Sequence, residues 1–341
     1  MTSLRSWAAA CILGMAASLA FPGESALSRF EFSQPHMGTR FQIIVYARNA
    51  ATASRASDAA FERIARLDDT MNDYNPRSEL MSLCQRAGGP PVPVSEDLFQ
   101  VLARSQALAE RTDGAFDITV GPVVRLWRRA RRQHEMPAAD ELAQARELVG
   151  HEKLRLDPGA RTAQLLKKGM LLDLGGIAKG YAADQALAIL KKHGITSALV
   201  VAGGEVAVSA PPPGRKGWRI GIAPLESPEK PPTRFLLLHD AAVSTSGDAE
   251  QYVELGGTRY SHIVDPRTGI GVMGRSSVTV VASDATTSDG MATAVSVLGP
   301  QQGLELVRST PGTAALIIRA TDQGPRAFEL NLSPYAVSAK D

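Results

Sequence analysis

Apolar residues at Ala60, Ile64, Leu67 and Met71 recur every three to four positions, the spacing of one helix face, and predict an amphipathic helix over 51–72. The turn-forming run Asn72 to Arg77 (NDYNPR) ends it. Ser95, followed by Glu96 and Asp97, is a helix-start signal, and Leu98, Val101, Leu102 and Leu108 then mark a buried face that stops before Gly114. Two more helices are predicted over 119–132 and 138–149. The run 41–46 (FQIIVY) is rich in β-branched and aromatic residues and predicts a strand. Further strands are expected at 153–156, 161–166, 170–173, 197–201, 218–222, 235–238, 258–264, 277–282, 313–319 and 326–331. Helices at 177–193 and 285–298 interrupt them, and Gly/Pro clusters such as Pro211 to Gly214 punctuate the connections. Long helices first and strands later predict an α+β fold of mixed or antiparallel sheets with packed helices.

Composition changes this picture mainly at the N-terminus. Arg5, the apolar run Trp7 to Leu19 and the small-x-small triplet Ser18-Leu19-Ala20 read as a signal peptide over 1–20, cleaved after Ala20. The apolar run is shorter than the ~20 residues of a spanning helix, so a retained anchor is the weaker reading. The remainder, 21–341, contains no linker and is expected to be a single domain. Cleavage would remove Cys11 and leave Cys84 alone, so no disulfide could form within the mature chain. Net charge is only +2, which gives no reason to expect nucleic acid as a partner. The basic run Arg125 to Arg132 (RLWRRARR) reads as a solvated helix face, because no aromatic platform interleaves it.

Four polar clusters stand in otherwise apolar stretches. Asp173 to Gly180 (DLGGIAKG) passes from strand to helix through two glycines, which lets backbone amides face an anion; a plain turn with an Asp near the helix cap fits equally. It is no Walker loop, since Tyr181 stands where Ser or Thr should. Gly203-Gly204-Glu205 reads as a turn. His262, in Ser261 to Gly269 (SHIVDPRTG), falls at a sheet margin beside Asp265, Arg267 and Thr268. Asp289 and Thr293 are four apart on a predicted helix and share a face. A carboxylate and a hydroxyl are hard oxygen ligands, too few for calcium but suited to magnesium, which keeps waters and binds substrate phosphates.

Taken in order, these clusters resemble the ApbE family, the FAD:protein FMN transferases. The resemblance is carried by MGTRF from Met37, YNPRSEL from Tyr74, TDGAFDITVGPVVRLW from Thr112 and DLGGIAKGYAAD from Asp173. It continues through AGGEV from Ala202, STSGD from Ser244, SHIVDPRTG and SDGMATAVSVLG from Ser288. It implies a fold related to the T-fold and an FAD site lined by Met37, Tyr74, Ala115, Phe116, Asp117, Asp173, Lys179 and Val264. It further implies magnesium (Mg2+) held by the Gly176 carbonyl, Asp289 and Thr293, with His262 assisting phosphoryl transfer. The implied reaction moves FMN from FAD to a threonine or serine of an acceptor flavoprotein in a membrane-bound or exported redox system, releasing AMP. Export to the periplasm is expected, with inner-membrane association left open. Two other uses of the same residues stay open: FAD hydrolysis to FMN and AMP, and a periplasmic flavin carrier. The chain departs from the family pattern at Cys84, where Asn is common and the pocket edge would alter, at Ala292, where some relatives carry an acid, and at Glu205, which replaces Asp or Asn.

Overall fold

The computed structural model describes residues 27–225, 230–248 and 251–338. The expected signal peptide lies outside them. Among the described residues, no helix is long and apolar enough to cross a membrane.

Asn49 opens the first helix, α1 (Ala50–Met71), by accepting a hydrogen bond from the Thr52 amide at 2.8 Å. Its buried positions, Ala53, Ala56, Ala60, Ile64, Leu67 and Met71, follow the predicted period. A short helix, α2 (Glu79–Gln85), follows the turn; sequence reading missed it, although Ser78 caps it by accepting from the Met81 amide. Ser95 caps α3 (Glu96–Arg111) as expected, with Glu96 and Asp97 complementing the positive end of the helix. Then come α4 (Gly121–Gln133), α5 (Ala139–Arg146), α6 (Ala178–Lys192) and α7 (Ala285–Arg308). The last was expected to stop at 298. It continues beyond a break at Gly299, which adopts φ 72°, and restarts at Pro300.

Eight strands form the central sheet, and their spatial order is their chain order: Ser28–His36, Thr39–Ala47, Ala198–Ala202, Glu205–Val208, Ala241–Gly247, Ser276–Ala282, Ala314–Arg319 and Arg326–Leu330. All neighbours are antiparallel. The elements fall into two similar halves. The first is two strands, α1 and α6, then two strands; the second is two strands, the two segments of α7, then two strands. α1, α6 and α7 pack together against one sheet face and bury the largest apolar cluster, which includes Phe41, Ile43, Ile64, Leu98, Val280 and Ile317. On the other face, Trp218–Ile222, Arg234–Leu238 and Ala336–Val337 form a small sheet over Leu199, Val243 and Val281. A third apolar cluster joins α4 to the hairpin sheet Tyr252–Leu255, Thr258–Asp265 and Ile270–Met273.

Residues 170–173, expected as a strand, form no ladder. The Leu172 amide donates to Cys84 Sγ at 3.3 Å and the Asp173 amide donates to the Ile118 carbonyl at 2.8 Å, so this extended stretch is tied to loops and a helix instead.

Candidate active site

The glycine loop, α6, α7 and the turn into Glu205–Val208 converge on a group of charges. Lys179, on the first turn of α6, reaches back to donate to the Gly175 carbonyl at 2.8 Å and lies 3.6 Å from Glu205 Oε1. Asp289, on the facing side of α7, accepts from the Gly180 amide at 3.0 Å. Glu205 and Asp289 are only 4% and 1% exposed. Burial pushes both carboxyls up, Glu205 to about 8, against the attraction of Lys179. Burial opposes the Lys179 ammonium too, but Asp289, then Glu205 and Asp173, outweigh it and hold the group above its ordinary range. Two carboxyls share one ammonium at this centre, and Glu205 Oε2 is buried with no hydrogen-bond partner.

Hard oxygen donors stand beside this group. A Cβ on Gly176 would fall 2.8 Å from Thr293 Oγ1, so the loop backbone lies directly against the threonine. Asp289 shares the same helix one turn earlier. A buried carboxylate, a hydroxyl and a loop carbonyl, with an orphaned carboxyl oxygen nearby, fit a small hard cation of the magnesium type. Ala292 is fully buried in the core. Cys84, expected to alter the pocket edge, is instead buried beneath the Asp173 stretch, and burial pushes its thiol up to about 11.

His262 reaches the site from the hairpin sheet. Its backbone amide and its Nδ1 both bond the Gln251 carbonyl, at 3.0 and 3.1 Å. A carbonyl only accepts, so Nδ1 carries the hydrogen and Nε2 keeps a free lone pair. The imidazole lines a small cavity with Val124, Trp127, Arg128, Arg131 and Ser261. Burial lowers its pKa; the Gln251 carbonyl opposes this, while the charges of Arg131 and Lys179 add to it. The ring is therefore neutral at pH 7. Val264, two residues along, is buried against the α4 cluster, and the Trp127 indole donates to the Gly269 carbonyl at 2.8 Å.

The other expected residues divide. Met37, in the tight turn between the first two strands with φ 48°, donates its amide to Asp68 Oδ2 at 2.8 Å. This turn borders the charged centre, since a Cβ on Gly203 would meet both Thr39 Oγ1 and Glu205 Oε2. Asp173 accepts from the Gly175 amide and from Arg128, and Arg128 also covers the ring of Tyr74. Ala115 and Phe116 are buried, and their segment touches the glycine loop through the Ile118–Asp173 backbone bond. The Asp117 carboxylate accepts from the Thr119 amide and hydroxyl, capping the short helix 118–120. Sequence reading missed Arg128 and Arg131, assigned to a solvated face, and Glu205, assigned to a turn. Arg128 is only 21% exposed and doubly ion-paired, and Arg131 donates to Gln251 Oε1 at 2.9 Å. No local pattern signals these roles, because the partners lie far along the chain.

The class this defines is a two-halved antiparallel α+β protein with a charged interior centre of Lys179, Glu205 and Asp289 beside a glycine loop, close enough to His262 for the charges of Lys179 and Asp173 to act on the imidazole. The ApbE family model matches residues 37–317, and the chain belongs to that family. It is 33% identical over 299 residues to the FAD:protein FMN transferase of Haemophilus influenzae, covering 84% of this chain and 86% of that one. The FAD:protein FMN transferase of Treponema pallidum is 32% identical over 311 residues, covering 87% and 86%. Among solved structures, the flavin transferase ApbE of Vibrio cholerae superposes with a TM-score of 0.81 at 29% identity, covering 91% and 99% of the two chains.

Proposed function

We propose that this protein is an FAD:protein FMN transferase that moves FMN from FAD to a threonine or serine hydroxyl of an acceptor redox protein and releases AMP. What carries this reading is the buried Asp289 with Thr293 one turn on, set against the glycine loop, together with a His262 whose Nε2 is free. In the proposed step, the acceptor oxygen forms a bond to the FMN-side phosphorus while the bond from that phosphorus to the bridging oxygen breaks. The electron pair leaves with AMP, and the acceptor proton passes to His262 Nε2. A neutral imidazole in this place is worth ~10²–10⁴-fold. The Gly176 carbonyl, Asp289 and Thr293 would hold magnesium, which when bound neutralises charge on the pyrophosphate and its leaving oxygen. Lys179, fixed by Gly175 and Glu205, supplies a permanent positive charge beside the same loop.

Incubation with FAD, magnesium and a candidate acceptor tests the reading by covalent flavin fluorescence in a denaturing gel. AMP release without a labelled acceptor would make the protein an FAD hydrolase; tight FAD binding with no AMP would make it a carrier. The acceptor belongs to a membrane-bound or exported redox system in this reading, and the enzyme is exported to meet it. Mass spectrometry of the native protein should then find Phe21 at the N-terminus, and a retained Met1 would count against cleavage after Ala20.

A further inference from the structure

Arg128 occupies an unusual position for a residue in a basic run. One guanidinium nitrogen donates to Asp73, another donates to Asp173 Oδ2 at 2.7 Å, and the guanidinium carbon lies 4.4 Å from the centre of the Tyr74 ring. Asp73 and Tyr74 sit on the turn after α1, Asp173 begins the glycine loop, and Arg128 comes from α4. A single side chain thus ties three separate segments together. Burial and the neighbouring Asp173 raise the Asp73 carboxyl against the pull of Arg128, so these two acids would repel without the guanidinium.

The turn has a second set of ties. The Tyr74 amide donates to Asn72 Oδ1 at 2.8 Å, Asn72 Nδ2 donates to Asp68 Oδ1 at 2.9 Å, and Asp68 Oδ2 accepts from the Met37 amide. These bonds tie the Met37 backbone to the turn at Tyr74 and do not reach the tyrosine ring. Tyr74 is 72% exposed, and Arg128 stacks over one face of its ring. An exposed aromatic side chain held on one face presents the other to a planar ligand.

We infer that Arg128 is a positioning residue for the flavin dinucleotide, holding Tyr74 and Asp173 in mutual register so that both meet FAD without reordering. The inference rests on the FAD-binding part of the proposed function, in which Tyr74 and Asp173 line the nucleotide as the family resemblance implies. Lysine cannot reproduce the arrangement: an ammonium keeps the charge between the acids but loses the planar fork that spans both carboxylates and stacks on the ring.

The experiment compares wild type, Arg128→Lys, Tyr74→Ala and the double variant by FAD titration, transfer kinetics and thermal melting. Arg128→Ala leaves two facing acids unpaired, so Arg128→Lys, which retains the charge, carries the test. It should melt near wild type and raise the Kd and KM for FAD by about tenfold, while kcat at saturating FAD changes less than about threefold. Tyr74→Ala should show a similar loss, and the double variant should be no worse than the weaker single by more than about twofold, because both changes remove one arrangement. Wild-type FAD affinity in Arg128→Lys, or fully multiplicative losses in the double variant, overturns the assignment. A fall in melting temperature and kcat with unchanged KM overturns it as well, by making Arg128 merely structural. Wild type that binds FAD but transfers none would fail the transfer reading and leave this one standing; wild type that binds no FAD removes both.

Discussion

The two halves of the chemistry rest on unlike foundations. Asp289, Lys179 and Glu205 sit where α6, α7 and the central sheet meet, within the largest apolar cluster of the molecule, and their neighbours Ala178, Ala182 and Met291 are core residues. His262 stands on a three-stranded hairpin sheet whose apolar support is a small cluster around Val123, Trp127 and Val264. The first site holds charge where water is scarce, so its geometry is set by packing and its ions depend on one another. The second holds a neutral ring by one carbonyl at the margin of a satellite sheet. Removing a member of the first should therefore disturb fold and chemistry together, and removing the second should separate them.

The largest effect is expected from Asp289→Ala. It removes the carboxylate of the proposed metal site, leaves the Gly180 amide without its acceptor and strips Lys179 of its principal counter-charge. Transfer should fall by at least about 10³-fold, with a stability loss of order 3 kcal/mol, read from magnesium-dependent assays and denaturant melts. Wild-type activity at low magnesium would rule out the assignment.

His262→Ala tests the other side of the comparison. Transfer should slow by roughly 10²–10⁴-fold, while FAD affinity and melting temperature stay near wild type. Parallel loss of stability and FAD binding would make the histidine a structural anchor of the Asp265–Pro266 turn. The pH dependence follows from the depressed pKa. A base must be unprotonated, so kcat/KM in wild type should hold down to a pH below the ordinary histidine value and then fall. On stability, the unfolded chain takes up this proton first on acidification, so folding loses free energy as pH drops from the ordinary value toward the folded one. The alanine variant lacks that loss and should be less acid-sensitive across that window.

Thr293→Ala should have the smallest effect. A water can replace a neutral hydroxyl ligand, so magnesium affinity should fall by about tenfold and saturating magnesium should restore turnover. Loss that magnesium cannot rescue would mean the hydroxyl does more than ligate.

The sequence made the well-packed region legible and the satellite region less so. Helical spacing located α1 and α3 because one face of each is pressed into the core, and the strand expected at 277–282 is the buried strand Ser276–Ala282. Strands at 28–36, 241–247, 252–255 and 270–273 escaped notice. The first is an exposed edge, the second is built of small polar residues, and the last two flank Thr258–Asp265 in a hairpin sheet too slight to impose an alternating pattern. At the site, His262, Asp289 and Thr293 stood out within ordered motifs. Arg128 did not, because its partners lie 45 and 55 residues away and a local window sees only a charged helix. Asp117 adds a local role that its motif does not announce: its side chain closes a turn of its own segment.

Gly180 lies inside α6, as the helix expected at 177–193 implies, and answers to another helix. A Cβ there would fall 2.2 Å from the Ala285 carbonyl oxygen and 2.8 Å from Asp289 Cβ. The smallest possible branch at this position would wedge α6 away from the start of α7 and lift Asp289 off the amide that orients it. Asp184, one turn further along α6, accepts from the amides of Ala285 and Thr286 and seals the same junction. The site therefore constrains evolution at a residue that touches no substrate: a lineage that loses this hydrogen atom for a methyl group loses the spacing on which the charged centre is built.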